Sequence, residues 1–290
     1  MASEWDESTF EAHRPLLFSI AYRMLGSASE AEDVVQDTWL RASQDSQADI
    51  RSPRAYLTTI VTRLCIDHLR SAEHTRMEYP GPWLPEPLAE PNQESAELAS
   101  SLTTAFLVLL EQLAPTERAV FLLREVFELD FDEIAKSVGK SEANTRQILT
   151  RARSRLRDSR PRFTASRREA EEIVRRFRHA CAAGSVEEMM ATLHADAELI
   201  ADGGGKASAA TRPVLGADRI AKFFIGYAGK LHWSESDFEL VTINGAPGLL
   251  MRHPISGNGT YSFDIVDGRI RAIYVVRNPD KLRGFLERTH

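Results

Sequence analysis

Cysteine is nearly absent from this chain. Cys65 and Cys181 are the only two in 290 residues, and both fall inside helical patterns far apart in sequence. That excludes a disulfide framework, and neither thiol has partners at metal-ligand spacing. No uninterrupted apolar run is long enough to span a bilayer. The N-terminal stretch MASEWDESTFEAHR lacks the basic and apolar parts of an export signal. The expectation is a cytoplasmic protein with no membrane partner, no metal and no cofactor. Glycine is also scarce at first: thirteen of the sixteen lie from Gly184 onward. Strand patterns begin only there as well.

What is present fits a soluble globular chain of about two domains, with 43% hydrophobic and 27% charged residues. The net charge of −6 argues superficially against nucleic acid, but its distribution does not. From Leu84 to Glu133 eleven acids face only Arg118 and Arg124, whereas Ser141 to Arg178 holds twelve arginines and five acids. Phosphate neutralisation is local, so this segregation outweighs the total.

Phe10 to about Ala72 reads as helix throughout. Ser27 and Glu30 form a capping box for a helix reaching about Ala42. Its inward stripe is Ala31, Val34, Val35, Thr38 and Ala42. Asp33, Gln36, Asp37, Leu40 and Arg41 form a second, mixed polar face. Ser52 as N-cap and Pro53 at the first position open another helix. Arg54, Arg63, His68 and Arg70 supply donors around it, with Cys65 and Ile66 as core. Five prolines between Pro80 and Pro91 then rule out regular structure and indicate an extended, stiff linker. Trp83 and Leu84 are unusual in a passive spacer and should dock on a neighbour.

Helical periodicity resumes from about Leu98 through Leu113, and Pro115 starts the next helix. Asp130 with Glu133 should cap FDEIAKSV, which ends at Gly139. A tight turn and a Ser141 N-cap follow. In SEANTRQILTRARSRLR, Thr145, Ile148, Leu149, Ala152 and Leu156 share one face, while Arg146, Gln147, Thr150, Arg151 and Ser154 lie opposite. Arg153, Arg155 and Arg157 add positive charge. Helix, glycine turn and capped basic helix is the helix-turn-helix pattern, which can present guanidinium and amide groups to base edges. A solvated charged helix is the bland alternative.

The last third should contain helices at about Arg167–Ala183, Val186–His194 and Ala217–Tyr227. FELVTIN, GLLMRH, GTYSFDIV and RIRAIYVVR follow as an antiparallel meander, with Asp267-Gly268 as a tight hairpin turn. This is an α+β domain with helices on one face of a curved sheet.

The order of parts, DVVQDTWLRA, SPRAYLTTIVTRLCIDHLR and LAPTERAVFLLREVFELDFDEIAKSVGKSEANTRQILTRARSRL, resembles a bacterial RNA polymerase sigma factor of the extracytoplasmic-function (ECF) type. The resemblance covers regions 2 and 4, about Phe10 to Ser159. The C-terminal part resembles a SnoaL-like domain of the NTF2-like cone fold, an extension carried by one ECF subgroup, whose signatures stand here as WLPEP (Trp83–Pro87), DGGGK (Asp202–Lys206), NGAPG (Asn244–Gly248) and NPDKL (Asn278–Leu282). The resemblance implies a multi-domain protein. Two all-α sigma domains (1–75, a region 2 bundle; 98–160, a region 4 helix-turn-helix) flank a Pro-rich linker at 76–97. An α+β cone follows at 165–290. It further implies no enzyme activity, and binding of core polymerase (β′ clamp helices, β flap) and promoter DNA.

On that resemblance, Asp33, Gln36, Asp37, Leu40 and Arg41 would dock on core polymerase. Arg54, Arg63, His68 and Arg70 would serve the −10 element, although many ECF members carry Asn where this chain has Arg63. Ser141, Arg146, Gln147, Thr150, Arg151 and Arg153 would serve the −35 element. Trp83, Leu84, Asp202, Gly203, Gly204, Gly205, Lys206, Asn278, Pro279, Asp280, Lys281 and Leu282 would carry regulation in cis, by linker and loops packing against the sigma domains. Pro279 should stop the preceding strand and leave Asp280 and Lys281 exposed. The cone could also take a small-molecule ligand. The competing readings are a SnoaL-type enzyme tethered to DNA, with Asp202, His194, His232 and His253 around a pocket, or a ligand-responsive DNA-binding regulator. Tyr227, Trp233, Phe263 and Tyr274 are expected core.

Overall fold

Alternation of apolar and polar residues at helical spacing becomes helix through the first half of the chain, and strands appear where β-branched residues begin to alternate. The structure, a computed structural model, describes residues 7–44, 52–89, 102–156 and 166–289. Arg157, and the expected helical start at Leu98 through Ser101, lie outside the described residues. The chain divides into two units, 1–77 with 109–160 and 78–108 with 161–290.

The first unit is all helical. It contains α1 (Glu7–Leu25), α2 (Ala28–Gln44), α3 (Pro53–Met77), the end of α4 (Thr104–Leu110), α5 (Pro115–Glu125), α6 (Phe131–Val138) and α7 (Glu142–Leu156). The expected stripe of α2 is buried at all five positions, and Trp39 packs on Phe10 with ring centroids 5.0 Å apart. Thr145, Ile148, Leu149, Ala152 and Leu156 are likewise the buried face of α7. α6 ends on Gly139 in the left-handed conformation, as its sequence indicates. Asp130 occupies the N-cap position but makes no side-chain cap bond. Its carboxylate instead faces Arg124 at 3.6 Å. Within this unit α3 packs on α6, and both α1 and α3 pack on α5.

The second unit holds α8 (Arg167–Ala183), α9 (Val186–Thr192), α10 (Ala217–Leu231) and α11 (Pro279–Arg288). Its six strands are β1 (Leu193–Asp202), β2 (Val214–Leu215), β3 (Phe238–Ile243), β4 (Ala246–His253), β5 (Gly257–Val266) and β6 (Arg269–Val276). The strand order is β2-β1-β6-β5-β4-β3. β3 to β6 form the expected meander, with Asp267 at φ 49° in the hairpin turn. The sheet is mixed rather than purely antiparallel, because β1 joins β6 in parallel. Phe177, Phe224, Tyr261, Phe263 and Trp233 fill the space between α8, α10 and the sheet. The other face is covered too, which the sequence reading did not anticipate. Leu84 and Ala105 pack there with Ala272, Tyr274, Val276 and Leu282, and Ala89 packs with Ile243, Leu250 and Phe285. The chain's own Pro-rich segment and the first part of α4 are thus a layer of this domain.

Candidate functional site

On α7 the buried stripe leaves Arg146, Gln147, Thr150, Arg151 and Arg153 exposed on one side. Ser141 caps the helix, accepting from the Asn144 amide at 3.3 Å. Arg146 lies over the Phe131 ring at 4.1 Å and bonds Glu142 at 3.1 Å, which holds its planar head at the turn. Thr150 donates to its own helix, at Arg146 O. Arg153 and Arg155 each reach a glutamate of α5, Glu125 and Glu117, at 2.6 Å. Among the described residues nothing pairs with the Gln147 or Arg151 side chain. The basic face therefore has two grades of arginine, those tied to the scaffold and Arg151, which is unpaired among the described residues.

The candidates on α3 sit along one helix but in different surroundings. Arg54 is exposed. His68 faces Glu30 at 3.4 Å. Arg70 is 3.7 Å from Asp67 and 3.5 Å from the Thr116 hydroxyl. Arg63 does not face open solvent alone: its Nε donates to Ser137 O at 3.2 Å and an Nη to Lys136 O at 2.8 Å. On α2, Asp33, Gln36, Asp37, Leu40 and Arg41 are all exposed. Leu40, at 47% exposure, is one of four large apolar side chains exposed among the described residues.

The motifs of the linker and the C-terminal domain converge on one buried cluster. Asp202, at the end of β1, is fully buried. It accepts hydrogen bonds from the Tyr79 hydroxyl at 2.6 Å and the Leu84 amide at 2.9 Å, and pairs with Lys281 Nζ at 2.7 Å. Lys281 also donates to Leu84 O at 2.5 Å and lies 4.0 Å from the Trp83 ring centroid. Its expected exposure is thus wrong. Pro279 does end the strand, but it also starts α11, whose first turn swings Lys281 inward. Asp280 stays exposed and pairs with Lys206. Asn278 caps α11 by accepting from the Asp280 amide, and donates to the Tyr79 hydroxyl at 2.9 Å. Burial first, and then the hydrogen bond to Asp202, push the Tyr79 phenol well above its ordinary pKa.

The glycines of DGGGK allow this approach. Gly204 has φ +57°, and a Cβ there would stand 2.3 Å from Asn278 Nδ2. Gly205 abuts Pro80 in the same way, with 3.0 Å to its ring. Gly203 is closed in by its own loop at Ala207 O. The NGAPG motif, to which no role was assigned from sequence, supplies a second anchor. Asn244 of NGAPG is buried, accepts from the Leu88 amide at 2.6 Å and donates its own amide to Leu88 O at 2.9 Å. The Ala89–Ile243 bridge continues that contact. Tyr79 was also missed, because a lone tyrosine before a proline run carries no signal until its partner is known.

The alternative acid/base group does not assemble. His253 accepts from Ile255 and Ser256 amides, His194 accepts from Asp196, and His232 is an exposed helix cap. Asp202 is consumed by the linker. Among the described residues no cluster of three or more His, Cys, Asp or Glu side chains could hold a metal, and no helix is long and apolar enough to cross a membrane.

Residues 9–75 match the family described as Sigma-70 region 2, and residues 103–156 match Sigma-70, region 4. The ECF RNA polymerase sigma factor SigJ of Mycobacterium tuberculosis is similar at 36% identity, over 96% of this chain and 93% of the relative. The probable ECF RNA polymerase sigma factor SigI of the same species is 30% identical, over 95% and 94%. The crystal structure of M. tuberculosis SigJ superposes with a TM-score of 0.78 at 32% identity, covering 96% of this chain and 99% of that one.

Proposed function

The chain belongs to the ECF sigma factors of RNA polymerase, and on that premise we propose how its surfaces divide the work. A sigma factor binds core polymerase and directs promoter-specific initiation; it is not an enzyme. Core polymerase docks on the α2 face of Asp33, Gln36, Asp37, Leu40 and Arg41, the surface offered to the β′ clamp helices. The first unit's other half meets the β flap. Arg54, Arg63, His68 and Arg70 contact the −10 element. Capture of unstacked bases there costs a few kcal/mol per base and needs positive charge at the strand. Ser141, Arg146, Gln147, Thr150 and Arg151 read the −35 element, with Arg153 at phosphates. Arg can bridge guanine O6/N7 and Gln can pair with adenine N6/N7.

The C-terminal domain acts in cis through the linker. The carrying observation is the buried Asp202–Lys281 pair gripping the backbone of Leu84. The chain leaves the first unit at Met77 and re-enters it at Leu109. The 31 residues between, 78–108, belong to the C-terminal unit, so that unit governs the reach between the two DNA-reading helices. Free and extended, such a segment would span about 100 Å; docked, its reach is set by Asp202, Asn244 and Lys281. A small molecule that shifts this docking would be a regulator. Run-off transcription with purified core polymerase tests the reading. Initiation at −10/−35 promoters, lost with Arg151→Ala while core binding persists, supports it. No initiation from any promoter in a fragment library would refute it.

A further inference from the structure

We propose that the C-terminal domain carries a binding cleft for a small organic dianion, along the edge of its sheet rather than inside the cone. The proposal rests on the small-molecule control of linker docking above, to which it gives a place and a ligand class. The cone interior is occupied by side chains. Ring centroids run Phe263, Phe177, Phe224, Tyr261, Phe238 and Trp233 at successive spacings of 5.1, 5.2, 6.2, 5.8 and 5.5 Å. Those are contact distances for aromatic pairs, so this space is core. The room lies elsewhere. α8 packs across β4 and leaves the edge strand β3 standing beyond it. A cleft of about 890 Å³ follows that edge, between α8 on one side and Ala89 with the end of α11 on the other. A volume of this size suits a small organic ligand. Leu240, Val241 and Pro247 give it an apolar wall, and Thr242 and Thr289 add hydroxyls.

The charges of the cleft do not balance. Arg167, Glu171 and Arg175 fall at four-residue steps, hence on one face of α8. Glu171 is taken by Arg167 at 3.3 Å, and Arg167 also bonds the Thr242 hydroxyl at 2.9 Å, which pins the helix start to the strand. The other lining acid, Glu239, faces Arg252 at 4.0 Å. Arg175 and Arg288 remain, both exposed and without a partner among the described residues. The lining carboxylates are thus matched, while one guanidinium on α8 and one on α11 are not. Guanidinium groups hold phosphate or carboxylate through paired N–H donors. A phosphate monoester carries close to two charges above its second pKa of about 6, which answers both arginines while the apolar wall takes its organic body. Ala89, which lines the cleft, packs with Phe285 of α11, Ile243 and Leu250. The site is therefore complete only while linker and α11 are docked, and a ligand bound there favours the docked state by mass action.

Isothermal titration of the full chain tests the site, at about pH 8 where a phosphate monoester holds both charges. Phenyl phosphate and succinate are the dianion probes, and benzoate is the monoanion. One or both dianions should bind saturably, which tells a phosphate from a dicarboxylate ligand. Benzoate should bind at least about tenfold more weakly. Arg175→Gln with Arg288→Gln should weaken the dianion at least about tenfold. Arg168→Gln, exposed on the same helix but outside the cleft, should change nothing. All three arginines are exposed, so the variants keep the fold. No saturable binding of either dianion overturns the site. So does benzoate bound as tightly as the dianions, or a double variant that binds like wild type. Binding that needs both arginines, with run-off transcription indifferent to phenyl phosphate, would support the site and count against control of the linker alone.

Discussion

Lys281 Nζ lies 2.7 Å from Asp202 Oδ2, with side-chain exposures of 8% and 0%. Two charges so placed are stabilised by their partners, Leu84 backbone and the Tyr79 hydroxyl, rather than by solvent. Losing one of them strands the other. Lys281→Met should therefore destabilise the C-terminal unit by about 3–5 kcal/mol. Asp202→Asn combined with Lys281→Met should recover a good part of it. Urea unfolding followed by tryptophan fluorescence measures both; equal stability of wild type and single variant would remove the energetic role of the pair.

Gly204→Ala tests the same cluster through shape. The new Cβ would meet Asn278 at 2.3 Å in a left-handed backbone. Since left-handed strain alone costs roughly 1 kcal/mol, the expected loss exceeds that, whereas Gly226→Ala, with nothing within 4 Å, should lose nothing. Thermal unfolding of the two variants gives the comparison.

On the basic helix, Arg151→Ala should cost about 1–3 kcal/mol of discrimination at one base position while leaving core binding intact. Arg153→Ala should weaken binding evenly across sequences, because Arg153 is already shared with Glu125. Competition binding of holoenzyme to a set of −35 variants separates the two patterns.

The α2 face should be as sensitive to charge as to shape. Leu40→Asp places a carboxylate where an exposed apolar group is 47% accessible. Fold stability should change by less than about 0.5 kcal/mol, and affinity for core polymerase should fall at least about tenfold. Unchanged affinity would move the docking surface elsewhere.

Glu198 supplies a pH test. Desolvation raises its pKa, outweighing Arg271, with Asp264 adding to the rise. The neutral form is thus favoured by folding. Its stabilisation is fully present below the ordinary carboxyl value and is lost as pH rises through the raised one. Glu198→Gln should stabilise the domain at pH 7 by a few tenths of a kcal/mol after solvent screening. The gain should vanish toward pH 4; a gain independent of pH would contradict the cause given.

Local signals in the sequence carried most of the fold. Helices with caps, stripes and glycine ends, such as α2, α6 and α7, were legible because those determinants lie within a few residues. The hairpin at Asp267 was legible for the same reason. The parallel β1–β6 pairing was not, since it joins Leu193–Asp202 to a strand some seventy residues on. The inward turn of Lys281 was not legible either: a lysine is normally exposed, and only the distant Asp202 reverses that. The linker's docking was half legible. Trp83 and Leu84 announced a contact, but the receiving surface is made by α11 and the outer face of a sheet that local patterns do not order.

We propose that the linker of this sigma factor is governed by its own C-terminal domain. The most direct test is run-off transcription with purified core polymerase, comparing the full chain with Lys281→Met at saturating factor and equal core affinity. Releasing Leu84 should change promoter output by about fivefold or more. Output from the variant indistinguishable from wild type, with the linker shown by limited proteolysis to be released, would contradict it.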